Sequence, residues 1–406
     1  MLNPSPKQQR IVILGGGYAG LTVAQRLSKK GRGLTVTLID AKPEFQERIR
    51  LHEVAAGQSV QTFQYQKFLN PLGVAFMQAR VTALDPASSM VSVQHEDGST
   101  ETVGYDYLVY ALGSALDVDK VPGVREHAHA FQSVAAAQSV YAALNRTDNA
   151  RVLVVGGGLT GIETAAELAE RMPKLSVTLA IDKPFLEAAV PGGYDKKATD
   201  YLYRAFEQRR ITLRSGSRVK ALRAGVAEMS DGKEIAFDAC IWTSGFVPPS
   251  LARAAGIQVN PLGQIITDAS LRSFSHPNII AIGDAAQSGS DATGTLRMGS
   301  ATALAMAPAG ARTVLALVAG KAPPPFRFVY LFRNISLGRH DGVVQFVDRR
   351  DVPRNIVWTG TAAAKWKEYV CTTTLSTIRL TKEEMIPAVP PLRTLPQLLQ
   401  GLQQYA

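Results

Sequence analysis

A glycine triplet set between a strand and a helix, and then set there a second time, constrains this chain more than any other feature. Ile11-Val12-Ile13-Leu14 is an unbroken apolar run, the mark of a strand buried on both faces of a parallel sheet. Gly15, Gly17 and Gly20 follow as G-x-G-x-x-G, and Leu21, Ala24 and Leu27 then recur at helical period towards Lys30. Each glycine has its own physical task. Gly15 makes the tight turn, Gly17 lets backbone approach a pyrophosphate, and Gly20 lets helix and strand pack closely. Tyr18 and Ala19 lie between them, where free N–H groups and the helix dipole favour an anion. Val36-Thr37-Leu38-Ile39 reads as a second strand, and Asp40 ends it with a carboxylate able to accept from a ribose diol. Strand, glycines, helix, strand and acid in this order specify a dinucleotide site, which the glycines alone would not.

The unit recurs. Residues 151–155 form another apolar strand, Gly156, Gly158 and Gly161 repeat the spacing, 162–171 reads as helix, and Val177-Thr178-Leu179-Ala180 as the next strand. Aligned on Val-Thr-Leu, the Asp40 position falls on Ile181, and Asp182 comes one residue later beside Lys183. An acid at the ribose 2′-hydroxyl favours NADH over NADPH; the displaced acid and adjoining base make that preference slight here. Two dinucleotide sites in one chain imply two dinucleotides between which electrons pass. A hydride moving from NAD(P)H to FAD is the economical explanation.

Other candidates follow along the chain. After Asp40 comes KPEFQERIRLHEVAAG, leading towards the ring end of the first cofactor. Arg50 or Arg48 could neutralise a pyrophosphate or face a substrate, and His52 could exchange protons near a reduced flavin. A surface helix laced with ion pairs is the alternative reading of the same residues. Residues 105–113 form a strand ending at Gly113, and 237–245 mirror it, ending at Gly245. Glu163 falls in the first turn of the second glycine helix, where the dipole stabilises an acid or where it meets the nicotinamide end. Asn278 to Ile282 is a short buried strand with Gly283-Asp284 at its C-terminal end, where open α/β sheets place ligands. Asp284 could hold a hydroxyl of a ribityl chain. Residues 295–317 read as a close-packed helix with a kink at Pro308.

Composition narrows the rest. At 406 residues, two to three domains are expected. The two cysteines, Cys240 and Cys371, show no metal or redox spacing, which fits a reducing compartment and gives no metal ligands. Residues 1–10 lack an apolar core, so no signal peptide is read, and no run of eighteen apolar residues predicts a spanning helix. The net charge is +10; residues 326–406 hold eleven Lys/Arg against six Asp/Glu, half of that excess. A basic end could meet an anionic membrane or be a solvated face that favours anionic nucleotides. No aromatic-basic interleaving suggests nucleic acid. An apolar stripe at Leu395, Leu398, Leu399 and Leu402 could lie in a membrane interface, or pack on the protein itself or a homodimer partner.

These residues together resemble the flavoproteins with two dinucleotide-binding domains, the group containing glutathione reductase, ferredoxin reductases and type II NADH dehydrogenases. Gly15-Gly17-Gly20 with Asp40 matches the FAD fingerprint, Gly156-Gly158-Gly161-Glu163 the NAD(P)H fingerprint, and Gly283-Asp284 the second FAD motif. Residues 107–113 resemble an Ala-Thr-Gly-type segment, with Leu112 where Thr is usual. The resemblance implies an α/β fold of two Rossmann-like domains, the FAD domain interrupted by the NAD(P)H domain, plus a small C-terminal region. The expected boundaries are 1–118 and 251–325 for FAD, 119–250 for NAD(P)H and 326–406 for the rest. Absence of a Cys-x-x-x-x-Cys pair excludes disulfide-reductase chemistry. Ile335-Ser336-Leu337-Gly338-Arg339, Gly360, Trp366 and Glu53-Val54-Ala55-Ala56-Gly57 are similar to type II NADH dehydrogenases. Two departures bear on the acceptor: Met306-Ala307-Pro308-Ala309 stands where that branch carries glutamines, and Arg50-Leu51-His52 replaces an apolar segment. The expectation is an FAD-dependent NAD(P)H dehydrogenase passing electrons to a quinone or other small acceptor, cytoplasmic and peripheral on the inner face of the membrane. A sulfide:quinone-type reductase and a redox-signalling flavoprotein akin to apoptosis-inducing factor are the alternatives.

Overall fold

The computed structural model describes residues 8–31, 33–185, 192–289, 293 and 296–379. Its frame is two five-stranded parallel sheets. The first runs Ile279–Ala281, Tyr107–Tyr110, Gln9–Leu14, Leu34–Asp40, Ala75–Gln78. The second runs His129–Ala130, Ala239–Trp242, Arg151–Val155, Ser176–Ile181, Thr212–Ser215. In both, the glycine strand is central and its apolar run is sealed: Ile11 to Leu14 are at most 2% exposed. The glycine helices, Tyr18–Lys30 and Leu159–Arg171, start three residues before the predicted apolar period, because the fingerprint residues form the first turn. Their N-caps are Gly17 and Gly158, and neither helix has a side-chain cap, so the first N–H groups of each are left for another partner.

The chain crosses between the sheets twice, at Ala115–Leu116 and Phe246–Val247, and the two crossings pair antiparallel. We place the domain boundaries beside them. Ala75–Gln78 joins the first sheet, whereas Arg80–Asp85 joins an antiparallel one with Met90–Gln94 and Thr100–Gly104.

Among the described residues one helix, Ser300–Val318, is long and apolar enough to cross a membrane, where the sequence predicted none. Arg312 interrupts its apolar run, which is why a run-length criterion passes it over. It is one helix through Pro308 and packs against the first glycine helix, burying Ala303, Met306, Ala307, Pro308 and Gly310. A Cβ at Gly310 would come 2.9 Å from Ile282 of the first core.

The C-terminal part is an antiparallel sheet, Phe332–Ser336, Gly342–Val347 and Pro353–Thr359, followed by the helix Gly360–Arg379. Ile335, Leu337 and Val343 enter the core of the second sheet, while Val347, Leu375 and Ile378 enter that of the first. Each such apolar side chain contributes roughly 1.5–3 kcal/mol on burial, so this region fastens the two units together. The leucine stripe at 395–402 lies outside the described residues.

Candidate functional site

The glycines divide by what surrounds them. At Gly15 (φ +97°) a Cβ would lie 2.5 Å from the Ala111 carbonyl oxygen, and at Gly20 one would lie 1.9 Å from that of Gly15. At Gly156 (φ +135°) it would lie 2.5 Å from Thr243 Oγ1, and at Gly161 1.9 Å from the Gly156 carbonyl oxygen. At Gly17 and at Gly158 it would meet nothing within 4 Å. The outer glycines are forced from inside; the central ones face open space at an uncapped helix N-terminus. That is the shape a pyrophosphate held on backbone N–H groups requires, and both cradles have it.

The acids differ. Asp40 Oδ2 accepts from the Gly16 N–H at 2.7 Å and Oδ1 from that of Lys42 at 2.8 Å. In the second unit, Ile181 occupies the matching register, and a Cβ on Gly157 would touch its side chain at 3.1 Å. Asp182 follows, exposed, beyond the end of Ser176–Ile181.

Opposite the first cradle, Gly283 (φ +70°) comes close to Ala19 and Ala303. Asp284 accepts from Ser114 Oγ and from the Gly299 N–H, both at 2.7 Å, tying the crossover after Gly113 (φ +67°) to the start of Ser300–Val318. Arg48 donates to the Ser114 carbonyl oxygen at 3.0 Å. Gly245 (φ +81°) sits on the other crossover, near Asp117. The structure therefore brings Arg48 to the second motif; Arg50 leaves the same 3₁₀ turn in another direction.

That direction leads to a buried charge cluster. The helix Leu51–Ala55 packs against Val134–Leu144 and Leu159–Arg171, with all five residues at most 5% exposed, so the surface-helix reading is replaced by a core one. Arg50 donates to Glu47 at 3.1 Å, Glu53 at 3.0 Å and Glu368 at 2.5 Å. Arg339 Nη2 lies 3.0 Å from Glu53 and 3.3 Å from Glu167. Lys367 Nζ lies 2.8 Å from Glu163 Oε1, which also accepts from the Ser336 N–H at 3.0 Å. His52 lies 3.9 Å from Glu53, and its Nε2 has no hydrogen-bond partner. Burial holds His52 below the usual imidazole range. Burial works against the Glu163 carboxylate too, yet Lys367 and His52 hold it below its usual range. Burial likewise opposes the Lys367 ammonium, and Glu163 holds it above.

A cavity of about 490 Å³ opens onto this cluster, lined by Arg50, Glu53, Arg339, Lys367, Glu368 and Cys371 among others. Cys240 lies elsewhere, in the strand Ala239–Trp242, where burial pushes its thiol up to about 12. Burial also raises Cys371, and no second cysteine lines the cavity. Lys367 and Arg339 carried no site role in the sequence reading. The signal for Glu167 was its spacing of four residues from Glu163.

Two uncapped glycine cradles, joined by paired crossovers, define a two-dinucleotide oxidoreductase. The chain belongs to the pyridine nucleotide-disulphide oxidoreductase family, whose model matches residues 9–306. It is 29% identical over 352 residues to the demethylphylloquinone reductase NdbB of Synechocystis sp., covering 82% of this chain and 86% of that protein. It is 27% identical over 399 residues to the type II NADH:quinone oxidoreductase of Staphylococcus haemolyticus, covering 90% and 94%. The fold matches NDH2 of Plasmodium falciparum in complex with NADH (TM-score 0.75, 18% identity, 94% of this chain and 100% of that one). It also matches the sulfide:quinone oxidoreductase of Aquifex aeolicus (TM-score 0.77, 21% identity, 92% of each).

Proposed function

We propose that this protein oxidises NADH and, with bound FAD, reduces a quinone. The observation that carries the reading is the pair of equivalent cradles, each with its central glycine facing open space. The names of the relatives supply the acceptor class. Asp182, exposed past the second cradle's strand, supports NADH as the donor.

When bound, the flavin supplies the hydride-accepting and electron-releasing chemistry. The chain's own residues bind and orient. Gly17 and Gly158 leave room for the pyrophosphates, and Asp40 and Asp284 offer carboxylates to hydroxyls on either side of the first. Lys367 lines the cavity and holds transferable protons at Nζ, with Glu163 behind it. His52 lies buried beside that pair, where burial holds it below the usual imidazole range.

Peripheral membrane association is part of the proposal. The last fifth of the chain is basic. Trp366 meets Trp358 edge to face and Tyr369 at a tilt, ring centroids 5.8 Å apart in both pairs, with Tyr369 and nearby Ile356 about half exposed. Aromatic and basic residues together suit an anionic interface.

The test is anaerobic reduction by NADH and by NADPH, followed by reoxidation with quinones, dyes and ferredoxin. NADH should bleach the flavin faster than NADPH, and a quinone should restore it fastest. No bleaching by either nucleotide would overturn the donor assignment, and faster restoration by ferredoxin the acceptor. Slow restoration by every acceptor would point instead to a signalling flavoprotein.

A further inference from the structure

Asp351 carries two costs at once. It sits at φ +65°, in the left-handed region that residues other than glycine enter at a penalty, and its charged side chain is only 7% exposed. Burial raises its carboxyl above the usual range in spite of two guanidiniums beside it. It ends the turn between Gly342–Val347 and Pro353–Thr359, while Arg349 and Arg350 in the same turn stay exposed. The turn does not need this carboxylate. It closes through the Asp351 N–H, which donates to the Asp348 carbonyl oxygen at 3.0 Å, and through Asp348 Oδ1, which accepts from the N–H groups of Arg350 and Val352. Costs concentrated on one residue point to a task.

The carboxylate reaches two segments, each leading into a helix of a different core. Oδ2 lies 3.1 Å from Arg297 Nε. Arg297 comes three residues before Ser300–Val318; its guanidinium lies over the Tyr330 ring, 4.2 Å from the centroid, and its N–H donates to the Tyr330 hydroxyl at 2.6 Å. Two residues on, the Gly299 N–H donates to Asp284, beside the first cradle. On the other side, Oδ1 lies 3.4 Å from Arg333 Nε. Arg333 donates from Nη1 to the Gly192 carbonyl oxygen at 2.7 Å, and its guanidinium lies 5.0 Å from the Tyr194 ring centroid. The Asp351 carbonyl oxygen accepts from Arg333 Nη2 at 3.1 Å and from the Gly192 N–H at 3.3 Å. Tyr194 and the helix after it, Lys196–Gln208, pack in the core of the second sheet, whereas Tyr330 and Ser300–Val318 pack in that of the first.

Stability does not explain the cluster. Arg297 Nε, Arg333 Nε and Asp351 Oδ1 stand at ion-pair distance yet make no hydrogen bond, and a buried pair of charges often contributes little net stability. What it supplies is a fixed placement of 297–299 relative to 192–194.

We infer that Asp351 is a positioning residue for hydride transfer: acting through Arg297 and Arg333, it sets how closely a nicotinamide on the second cradle approaches a flavin on the first. The inference rests on the NADH-to-FAD reading above. No bond forms or breaks at Asp351. Transfer needs the reacting atoms about 3–3.5 Å apart, and a misplacement of about 1 Å can slow it by ~10²-fold.

The test uses full-length, FAD-loaded Asp351→Asn and Arg297→Gln. Asparagine tolerates positive φ and keeps the shape while losing the charge. The Arg297 side chain is 31% exposed, so its replacement disturbs the core less. In anaerobic stopped flow, each variant should show a limiting rate of flavin reduction about ten- to a hundredfold lower, with an NADH dissociation constant within about twofold of wild type. The double variant should be no slower than the slower single one, since both break the same link. The long-wavelength charge-transfer absorbance of nicotinamide stacked on flavin should weaken at equal NADH occupancy, and dithionite reduction should be unchanged. Hydrogen exchange in Asp351→Asn should speed up at both 192–195 and 297–299. A wild-type limiting rate and charge-transfer absorbance in either variant, even with a lowered Tm, would overturn the inference, as would faster exchange at one segment alone. Wild type that NADH does not reduce would instead overturn the donor reading, and the exchange comparison would still decide whether Asp351 joins the two segments.

Discussion

Lys367→Met keeps the bulk of a buried side chain and removes its charge. Lys367 Nζ lies 2.8 Å from Glu163, and the two side chains are 16% and 6% exposed. The variant leaves Glu163 buried with one N–H donor, from Ser336, and no counter-ion. Removing one partner of a buried pair costs about 3–5 kcal/mol. For 406 residues the unfolding entropy is about 0.85 kcal/mol per kelvin near Tm, so Tm should fall by about 4–6 °C. The pH dependence carries a sign. In wild type the Glu163 carboxyl sits below its usual range, so its contribution is present above the unfolded-state pKa and is lost as pH falls through the lower folded value. Without Lys367, burial dominates and the folded value moves above the unfolded one. The variant then gains stability relative to wild type as pH falls and loses it as pH rises. Calorimetry of FAD-loaded protein should find the Tm gap widest near about pH 8 and narrower near about pH 5. The double variant Lys367→Met/Glu163→Gln should recover more than half of the gap. A gap under about 1 °C at the higher pH, or one that does not narrow on acidification, would refute the buried-pair reasoning.

Three further predictions are independent of that pair. Gly17→Val should abolish FAD retention, and Gly158→Val should keep FAD and dithionite reduction while crippling reduction by NADH, because both side chains enter open space meant for a pyrophosphate. Gly161→Ala, which drives a methyl against the Gly156 carbonyl oxygen, should instead cost about 1–3 kcal/mol or more of stability, and a Tm equal to wild type would contradict the packing described. The full chain should float with anionic vesicles at low salt and release as salt rises, and less so once residues after Pro387 are removed; failure to float would assign the tail to packing or a dimer.

The fold was legible because its signals are local. An apolar run of four, three glycines and a helical period lie within twenty residues, and the sheet around them follows from the topology of βαβ units. Even the missing acid could be read: aligning Val-Thr-Leu put Ile181 at the Asp40 position, and in the structure its side chain lies against Gly157 as Asp40 lies on Gly16. The charge cluster was not legible. His52 and Glu53 look like surface residues in their own neighbourhood, since the groups that make burial affordable are Arg339, Lys367 and Glu368, some three hundred residues on. Pairing at that separation leaves no periodicity to find. The same distance hid why 336–339 has its sequence: Gly338 turns at φ +92° and Glu170 passes beneath it, leaving no room for a Cβ.

On the quinone reading proposed above, the helix Ser300–Val318 and this cluster bear on how an acceptor would be met. Where the type II branch carries glutamines, this helix presents Met306, Ala307, Pro308 and Ala309, all buried, and Gly310 brings it against Ile282. It is a packing surface with no amide to offer. The polar groups that line the cavity come instead from the segment after Asp40 and from the C-terminal sheet and helix. Arg50 and Arg339 are each already held by three carboxylates, so both are spent on keeping the cluster neutral. Lys367 has one carboxylate partner, lines the cavity, and carries three N–H donors. An acceptor with carbonyl oxygens would therefore bond first to Lys367, a donor that can also release a proton, which an amide cannot. The departure that the sequence shows on one helix is matched by a group that a distant helix supplies.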